Sequence, residues 1–183
     1  MSAFEYFFSF YALLLGLALA NAVIGFADVW RSRKEVKLGF CIPLLALVIV
    51  TFSASKWHAI WNSHESLPYP QGLLLIMLTE LLPYIFISQA MFPKTPEAWP
   101  NLDEYYLAHR GTLLGALIFS AASVLATNFL LSFPVGLGDL FRVLFTIVAP
   151  AIALLVTNKW LHAAALLAIS GYYLVRLFTP IAA

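Results

Sequence analysis

The sequence predicts an all-α polytopic membrane protein, a bundle of about six transmembrane helices with a short cytoplasmic interfacial helix. Hydrophobic residues make up 62% of the 183 residues and charged residues only 10%, against about 45–50% and about 25% in soluble globular domains. So few charges cannot cover the surface of a soluble domain of this length. The apolar residues form long uninterrupted runs and the mean hydropathy is +0.90, so lipid is the expected solvent for this surface.

Six apolar runs approach the roughly 20 residues that a membrane-spanning helix needs. The first run follows a start without the basic residues of a secretory signal, so it is predicted to be retained as a helix. Only Thr157, Asn158 and Lys159 separate the last two runs, which predicts a polar corner within a helical hairpin. The six predicted spans are Phe7–Val29, Leu38–Ile60, Gly72–Met91, Thr112–Leu131, Leu140–Val156 and Leu161–Phe178.

The basic residues predict the orientation of the chain, because short cytoplasmic loops retain Lys and Arg. Of the ten basic residues, seven fall in the first, third and fifth loops and three fall on the other side. Both termini are therefore expected outside. The seven are Arg31, Arg33, Lys34, Lys37, Lys94, Arg110 and Lys159, and the three are Lys56, Arg142 and Arg176.

The third loop contains Pro93, Pro96 and Pro100. Each proline lacks a backbone donor and disfavours helix at the residue before it, so an extended elbow is predicted here. Asn101 is then expected to cap a helix, with Glu104 three residues later as in a capping box.

The helix after Asn101 has two interpretations. In the first it lies at the cytoplasmic interface, with its aromatic rings at the depth of the lipid headgroups. In the second it is the N-terminal extension of the fourth span. The side chains expected at the interface in the first interpretation are Trp99, Asn101, Leu102, Tyr105, Tyr106 and His109.

The chain is predicted to be one transmembrane domain over residues 1–183, with possible halves at 1–92 and 109–183. Three helices in each half would enter the membrane from opposite sides, as in the inverted repeats of many transporters. Small residues four apart, Gly16 with Ala20 and Gly111 with Gly115, accompany this pattern. Ordinary close packing of helices is the alternative explanation of these pairs.

Four segments of the chain resemble a group of small bacterial six-helix integral membrane proteins of uncharacterised function. They are Phe4–Ser9, Gly16–Ala20, the Gly25–Phe26 pair before the basic loop, and Trp99–Tyr106. The resemblance covers roughly the first two-thirds of the chain. It implies a multi-pass protein of the bacterial inner (plasma) membrane and supplies no substrate or catalytic residue.

Glu80 lies about nine residues into the third predicted span, close to mid-membrane at about 1.5 Å per residue. An ionisable group there is costly and is a functional candidate by default. Pro83 deprives the carbonyl of Thr79 of its usual helical donor, which predicts a cation or proton site beside the carboxylate. Tyr84 and Ser88 continue the same face at intervals of four. The alternative is that Glu80 is protonated or hydrogen-bonded and only holds the bundle together.

One face of the second predicted span is polar and leads from the outer surface toward the depth of Glu80. Because consecutive helices usually pack together, His58 and Glu80 are expected to line one aqueous funnel. The alternative is an interfacial histidine with a single hydrogen bond. Lys56 is expected to extend to the outer headgroups. The polar face consists of Thr51, Ser55, His58 and Asn62, at intervals of four, three and four.

The remaining polar residues of the spans are interpreted structurally. The amides of Asn21, Gln89 and Asn128 are expected to form interhelical hydrogen bonds. Arg142 is expected near the outer end of its span, where it can pair with Asp139.

Several classes of function are excluded. A net charge of +1 without a clustered basic face excludes a nucleic-acid-binding protein that relies on phosphate contacts. Cys41 is the only cysteine, which excludes an intrachain disulfide and four-cysteine metal sites. The sequence contains no GxSxG, HExxH or P-loop pattern. We therefore expect no enzymatic activity, no metal and no cofactor.

Two functions remain. The leading hypothesis is a small transporter or channel for protons or another cation. The alternative is a noncatalytic membrane module that binds lipid or a partner membrane protein through residues 99–109. In either case the expected partners are membrane lipids and further copies of the chain, since small-residue and aromatic surfaces exceed the internal needs of six short helices. The predicted transport path consists of Thr51, Ser55, His58, Glu80, Tyr84 and Ser88.

Overall fold

The computed structural model describes residues 3–62, 73–130 and 136–178, and this part of the chain forms a bundle of six long helices. The all-α prediction is confirmed, and the described residues contain no strand beyond an isolated bridge between Lys37 and Asn101. The predicted span ends Gly72 and Leu131 lie outside the described residues. The helices are α1 (Ala3–Arg31), α2 (Cys41–Asn62), α3 (Leu73–Ala90), α4 (Leu102–Leu130), α5 (residues 137–155) and α6 (Lys159–Phe178).

Helix α5 contains a π-helical turn. The α-helical segments Leu137–Val143 and Ala149–Leu155 flank the wider turn Leu144–Val148, and the three follow one another without a break. The predicted corner between α5 and α6 is confirmed. Asn158 caps α6, because its side-chain oxygen accepts a 3.0 Å hydrogen bond from the backbone N–H of Trp160.

The bundle has the composition of a multi-pass membrane protein. Five of its helices are long and apolar enough to cross a membrane, and α3 has 18 residues. Large apolar side chains such as Leu13, Leu82 and Leu167 are exposed on the outer faces of the helices. The five tryptophans lie at or beside helix ends, where membrane proteins concentrate them at the two interfaces. They are Trp30, Trp57, Trp61, Trp99 and Trp160.

The segment after Asn101 is the N-terminal extension of α4, the second of the two interpretations. Asn101 caps this helix as predicted, through a 3.0 Å hydrogen bond from the backbone N–H of Asp103 to its side-chain oxygen. Leu102 and Tyr106 are fully buried among the helices of the bundle. Tyr105 is half-buried, and its hydroxyl donates a 2.8 Å hydrogen bond to the carbonyl of Ala90.

The start of α4 is tied to the start of α2 by Asp103. Its buried carboxylate accepts hydrogen bonds of 2.8 and 2.9 Å from the backbone N–H groups of Phe40 and Cys41. Gly39 precedes them with a φ of +64°, and a Cβ atom there would lie 2.3 Å from the carboxylate. The turn therefore needs glycine for both its backbone conformation and its close approach to Asp103.

The small-residue pairs do not mark close helix contacts within one chain. A Cβ atom added at Gly16, Gly111 or Gly115 would meet no described atom within 4 Å, whereas one at Gly25 would collide with the ring of Phe92. Close approach therefore occurs at Gly25, where α1 meets the elbow. The division into inverted halves stays a prediction.

The amide of Asn21 connects α1 to α3, as predicted, by a 3.4 Å hydrogen bond to the hydroxyl of Ser88. Gln89 is exposed instead. The side chain of Asn128 lies outside the described part of the structure.

Candidate functional site

The ammonium of Lys56 in α2 forms an ion pair with the Glu80 carboxylate in α3. The two side chains are only 23% and 11% exposed. The prediction that Lys56 extends to the headgroups is therefore wrong. A lysine near a helix end extends to water when no closer group compensates its charge. Here the carboxylate of Glu80 in the neighbouring helix compensates the charge of Lys56 inside the bundle.

This pair lies in a cavity of about 240 Å³ to which all six helices contribute. The cavity occupies the half of the bundle nearest the chain termini, because its residues come from the start of α1 and α5 and from the ends of α2 and α6. It is lined by Tyr11, Phe52, Ser55, Lys56, Ala59, Ile60, Met77, Glu80, Ser120, Ala121, Val124, Arg142, Thr146, Tyr172, Tyr173 and Arg176.

The charge of the cavity lining is predominantly positive. Lys56, Arg142 and Arg176 face a single lining carboxylate, that of Glu80. Arg142 is also paired with Asp139, as predicted, but the two side chains are 20% and 15% exposed rather than at an open surface. The described residues place no carboxylate within ion-pairing distance of Arg176.

Hydroxyl groups add polarity without adding charge. The Tyr11 side chain is only 2% exposed, and its hydroxyl has no hydrogen-bond partner among the described residues. Ser120 donates a 2.8 Å hydrogen bond to the backbone carbonyl of Glu80, which holds α4 against α3 at the level of the ion pair. Thr146 lies in the π turn of α5 and donates to the carbonyl of Arg142. Turns of this kind are frequent at functional sites.

Two tyrosines support the cavity from the side of the bundle core. The hydroxyls of Tyr84 and Tyr173 are 2.9 Å apart and hydrogen-bonded, and the Tyr84 ring stacks on Phe52 with a centroid distance of 3.4 Å. Tyr173 and Phe52 line the cavity, whereas Tyr84 lies behind them. Tyr84 is thus connected to the site through its neighbours.

Of the six residues of the predicted path, only Glu80 and Ser55 line the cavity. Tyr84 lies behind the cavity wall, and the other three make contacts elsewhere. His58 accepts, at Nε2, a 2.9 Å hydrogen bond from the side-chain amide of Asn62, and it does not line the cavity. Thr51 donates to the carbonyl of Leu47 within its own helix. Ser88 is buried against Asn21 and the carbonyl of Ile85.

Helix geometry explains the absence of His58. It lies two residues after Lys56, which places the two side chains about 200° apart around α2 at about 100° per residue. Once Lys56 faces Glu80, His58 faces elsewhere. The interpretation of His58 as a histidine with one hydrogen bond is therefore the one the structure favours.

Sequence reasoning missed Tyr11, Arg142 and Arg176 as cavity residues. A signal was available for the two arginines. They and Lys56 are the three basic residues that the charge count placed opposite the basic loops, and all three converge on this cavity. Tyr11 gave no signal, because a tyrosine in an apolar helix is usually a packing residue.

A second buried polar cluster joins α4 to α6 near the basic loops. His162 is fully buried, with its Nε2 2.9 Å from the carbonyl of Val156 and its Nδ1 3.2 Å from the hydroxyl of Tyr106. Because a carbonyl only accepts, Nε2 carries the hydrogen, and in the neutral ring Nδ1 accepts the Tyr106 hydrogen. Both ring nitrogens are satisfied, so the cluster acts as a structural connection.

Comparison of the chain with protein-family models, with curated proteins and with solved structures finds no match. The geometry and charge of the cavity are therefore the features from which a function is inferred.

Proposed function

We propose that the protein is a small membrane transporter that moves protons through the cavity around Glu80. The observation that carries this proposal is the ion pair between Glu80 and Lys56 inside a cavity lined by all six helices. Ionisable groups within membrane-spanning helices are costly to bury and are candidates for ion and proton pathways by default.

The proton fits this cavity better than another cation does. A metal or ammonium ion at Glu80 would be repelled by Lys56, Arg142 and Arg176. The lining has a single carboxylate among the described residues, that of Glu80, and it is already paired with Lys56. A proton instead binds the carboxylate itself. Protonation of Glu80 removes its charge and releases Lys56, so one proton changes the electrostatics of the whole cavity.

The proposal includes an orientation. We place the protein in the bacterial inner membrane with both termini outside and the first, third and fifth loops in the cytoplasm, following the distribution of basic residues. The cavity then lies in the outer half of the bundle. Protons would enter there and continue past Tyr84 toward the cytoplasmic half.

Proton flux into liposomes tests this function. We expect wild-type protein to acidify the lumen under an imposed gradient and the Glu80→Gln variant to fall to the level of protein-free liposomes. Glutamine keeps the size and hydrogen-bonding capacity of the side chain, so the fold should survive. Asp28→Asn is the matched control, since it removes a carboxylate paired with Arg31 at the exposed end of α1. Equal flux in all three proteins, or none in any, would contradict the proposal.

The alternative function, a noncatalytic module that binds lipid, is supported by a different groove. This groove has a volume of about 440 Å³ and lies between the elbow and the first turns of α4. Its wall includes Lys94, Trp99, Tyr105 and His109, and the Trp99 and Tyr105 rings meet edge to face at 5.2 Å. An aromatic groove with a lysine suits a lipid headgroup. Retention of anionic lipid that is lost in Trp99→Ala, together with absent proton flux, would favour this function.

A further inference from the structure

The cavity around Glu80 offers more positive charge and more hydrogen-bond donors than the protein uses. Glu80 compensates Lys56 and Asp139 compensates Arg142. Arg176 lines the same space, and its guanidinium has no carboxylate partner among the described residues. An arginine presents a planar fork of donors that matches the oxygens of a carboxylate or a phosphate.

The buried hydroxyl of Tyr11 is a second, independent indication of a ligand. It belongs to the cavity wall on the α1 side, with 2% of the residue exposed, and it meets no acceptor in the described part of the chain. A buried donor without an acceptor costs free energy, so such groups are usually satisfied by water or by a ligand. Here the residue with the unpaired hydroxyl, Tyr11, lines the same cavity as the uncompensated Arg176.

We propose that this cavity binds an oxyanion, the carboxylate or phosphate group of a small solute or of an anionic lipid. Arg176 and Lys56 supply charge and Tyr11 supplies a neutral hydrogen bond. At about 240 Å³ the cavity has room for several water molecules and hence for a group such as phosphate. Binding of an oxyanion goes beyond proton transport and does not depend on it.

Glu80 competes with the ligand for Lys56. While the carboxylate is paired with the ammonium, the oxyanion meets a repelling charge and only part of the available donors. Replacement of Glu80 by Gln removes that repulsion and frees Lys56. We therefore expect that loss of the Glu80 carboxylate tightens binding of the oxyanion.

Direct binding to purified protein in a neutral detergent tests the proposal. The probes are sodium phosphate and sodium succinate, measured by calorimetry against sodium chloride at equal ionic strength, and phosphatidylglycerol against phosphatidylcholine, measured by retention in native mass spectrometry. Binding of phosphate or succinate identifies a free solute, and selective retention of phosphatidylglycerol identifies a lipid.

Each variant has a stated outcome for the probe that binds. Loss of a charge-assisted contact in Arg176→Gln should weaken binding about tenfold or more. Loss of one neutral hydrogen bond in Tyr11→Phe should weaken it about two- to tenfold, and this change removes no observed contact of the fold. Glu80→Gln should bind more tightly than wild type. Arg33→Gln, at an exposed site in the basic first loop, is the control and should bind as wild type does.

Two results would overturn the proposal. One is the absence of binding by every probe to wild type and to Glu80→Gln, and the other is equal binding in Tyr11→Phe, Arg176→Gln and Arg33→Gln. If Arg176→Gln does not fold, Tyr11→Phe and Glu80→Gln still decide, because they must shift affinity in opposite directions. Proton flux without oxyanion binding defeats only this inference, and oxyanion binding without flux defeats only the transport function.

Discussion

The carboxylate of Glu80 in α3 is paired with Lys56 of α2, while the backbone carbonyl of the same residue accepts a hydrogen bond from Ser120 of α4. Glu80 therefore connects three helices at one level of the bundle. A carboxylate placed in this way contributes to the fold as well as to any transport. Variants must separate the two contributions.

The ion pair predicts a non-additive effect on stability. Lys56→Met should leave the carboxylate of Glu80 without its compensating charge and lower the free energy of unfolding by roughly 1–3 kcal/mol. The double variant Lys56→Met with Glu80→Gln removes both charges and should recover much of that loss. Thermal unfolding in detergent measures the cycle. Additive effects of the two substitutions would show that Lys56 and Glu80 are not energetically coupled.

The turn before α2 predicts a strong effect of one methyl group. Gly39→Ala combines a left-handed backbone conformation, which costs roughly 1–2 kcal/mol, with a collision against Asp103. We expect a clear drop in melting temperature. Gly111→Ala is the matched control, because its added Cβ meets no described atom and alanine favours a helix by about 1 kcal/mol over glycine. Equal effects of the two substitutions would refute this explanation.

The cluster at His162 predicts that the hydroxyl of Tyr106 contributes to the stability of the protein, whereas the hydroxyl of Tyr6 does not. Tyr106→Phe removes the hydrogen bond to Nδ1 of His162 and should destabilise the protein by about 1–3 kcal/mol, since a buried nitrogen loses its partner. Tyr6→Phe makes the same chemical change at a residue that is 62% exposed and should be close to neutral. Denaturation curves for both variants decide the point, and a neutral Tyr106→Phe would contradict it.

The orientation can be measured with single cysteines. Cys41 is the only cysteine and is buried, so it should give little background. A membrane-impermeant maleimide added to intact cells should label Glu5→Cys, whereas Lys34→Cys should react only after the cells are opened. Labelling of Lys34→Cys in intact cells at the same rate would reverse the proposed topology.

The helices were predictable because each apolar run leaves few alternatives to a span. The environment of the start of α4 was less predictable. An apolar residue such as Leu102 and an aromatic residue such as Tyr106 are equally typical of a membrane interface and of a buried core. A continuous stripe did point to the core, because Leu102, Tyr106, Leu113 and Leu117 recur at intervals of four, seven and four and are all buried.

The site was predictable only at its centre. Glu80 was found because a carboxylate in an apolar span has few explanations. Its pairing with Lys56 and its proximity to Arg142 and Arg176 depend on how α2, α3, α5 and α6 rotate about their axes. Rotation is set by packing between distant parts of the sequence, and the weak amphipathicity of membrane helices leaves little local pattern from which to read it.

Infrared difference spectroscopy on oriented proteoliposomes tests most directly the central claim, that Glu80 takes up and releases a proton inside the cavity. Acidification of the side that carries the termini should produce the carbonyl-stretch band of a protonated carboxylic acid, over the same pH interval in which proton flux rises. The band should be missing in Glu80→Gln and unchanged in Asp28→Asn. A band that persists in Glu80→Gln, or no band in the wild type while protons flow, would contradict the account.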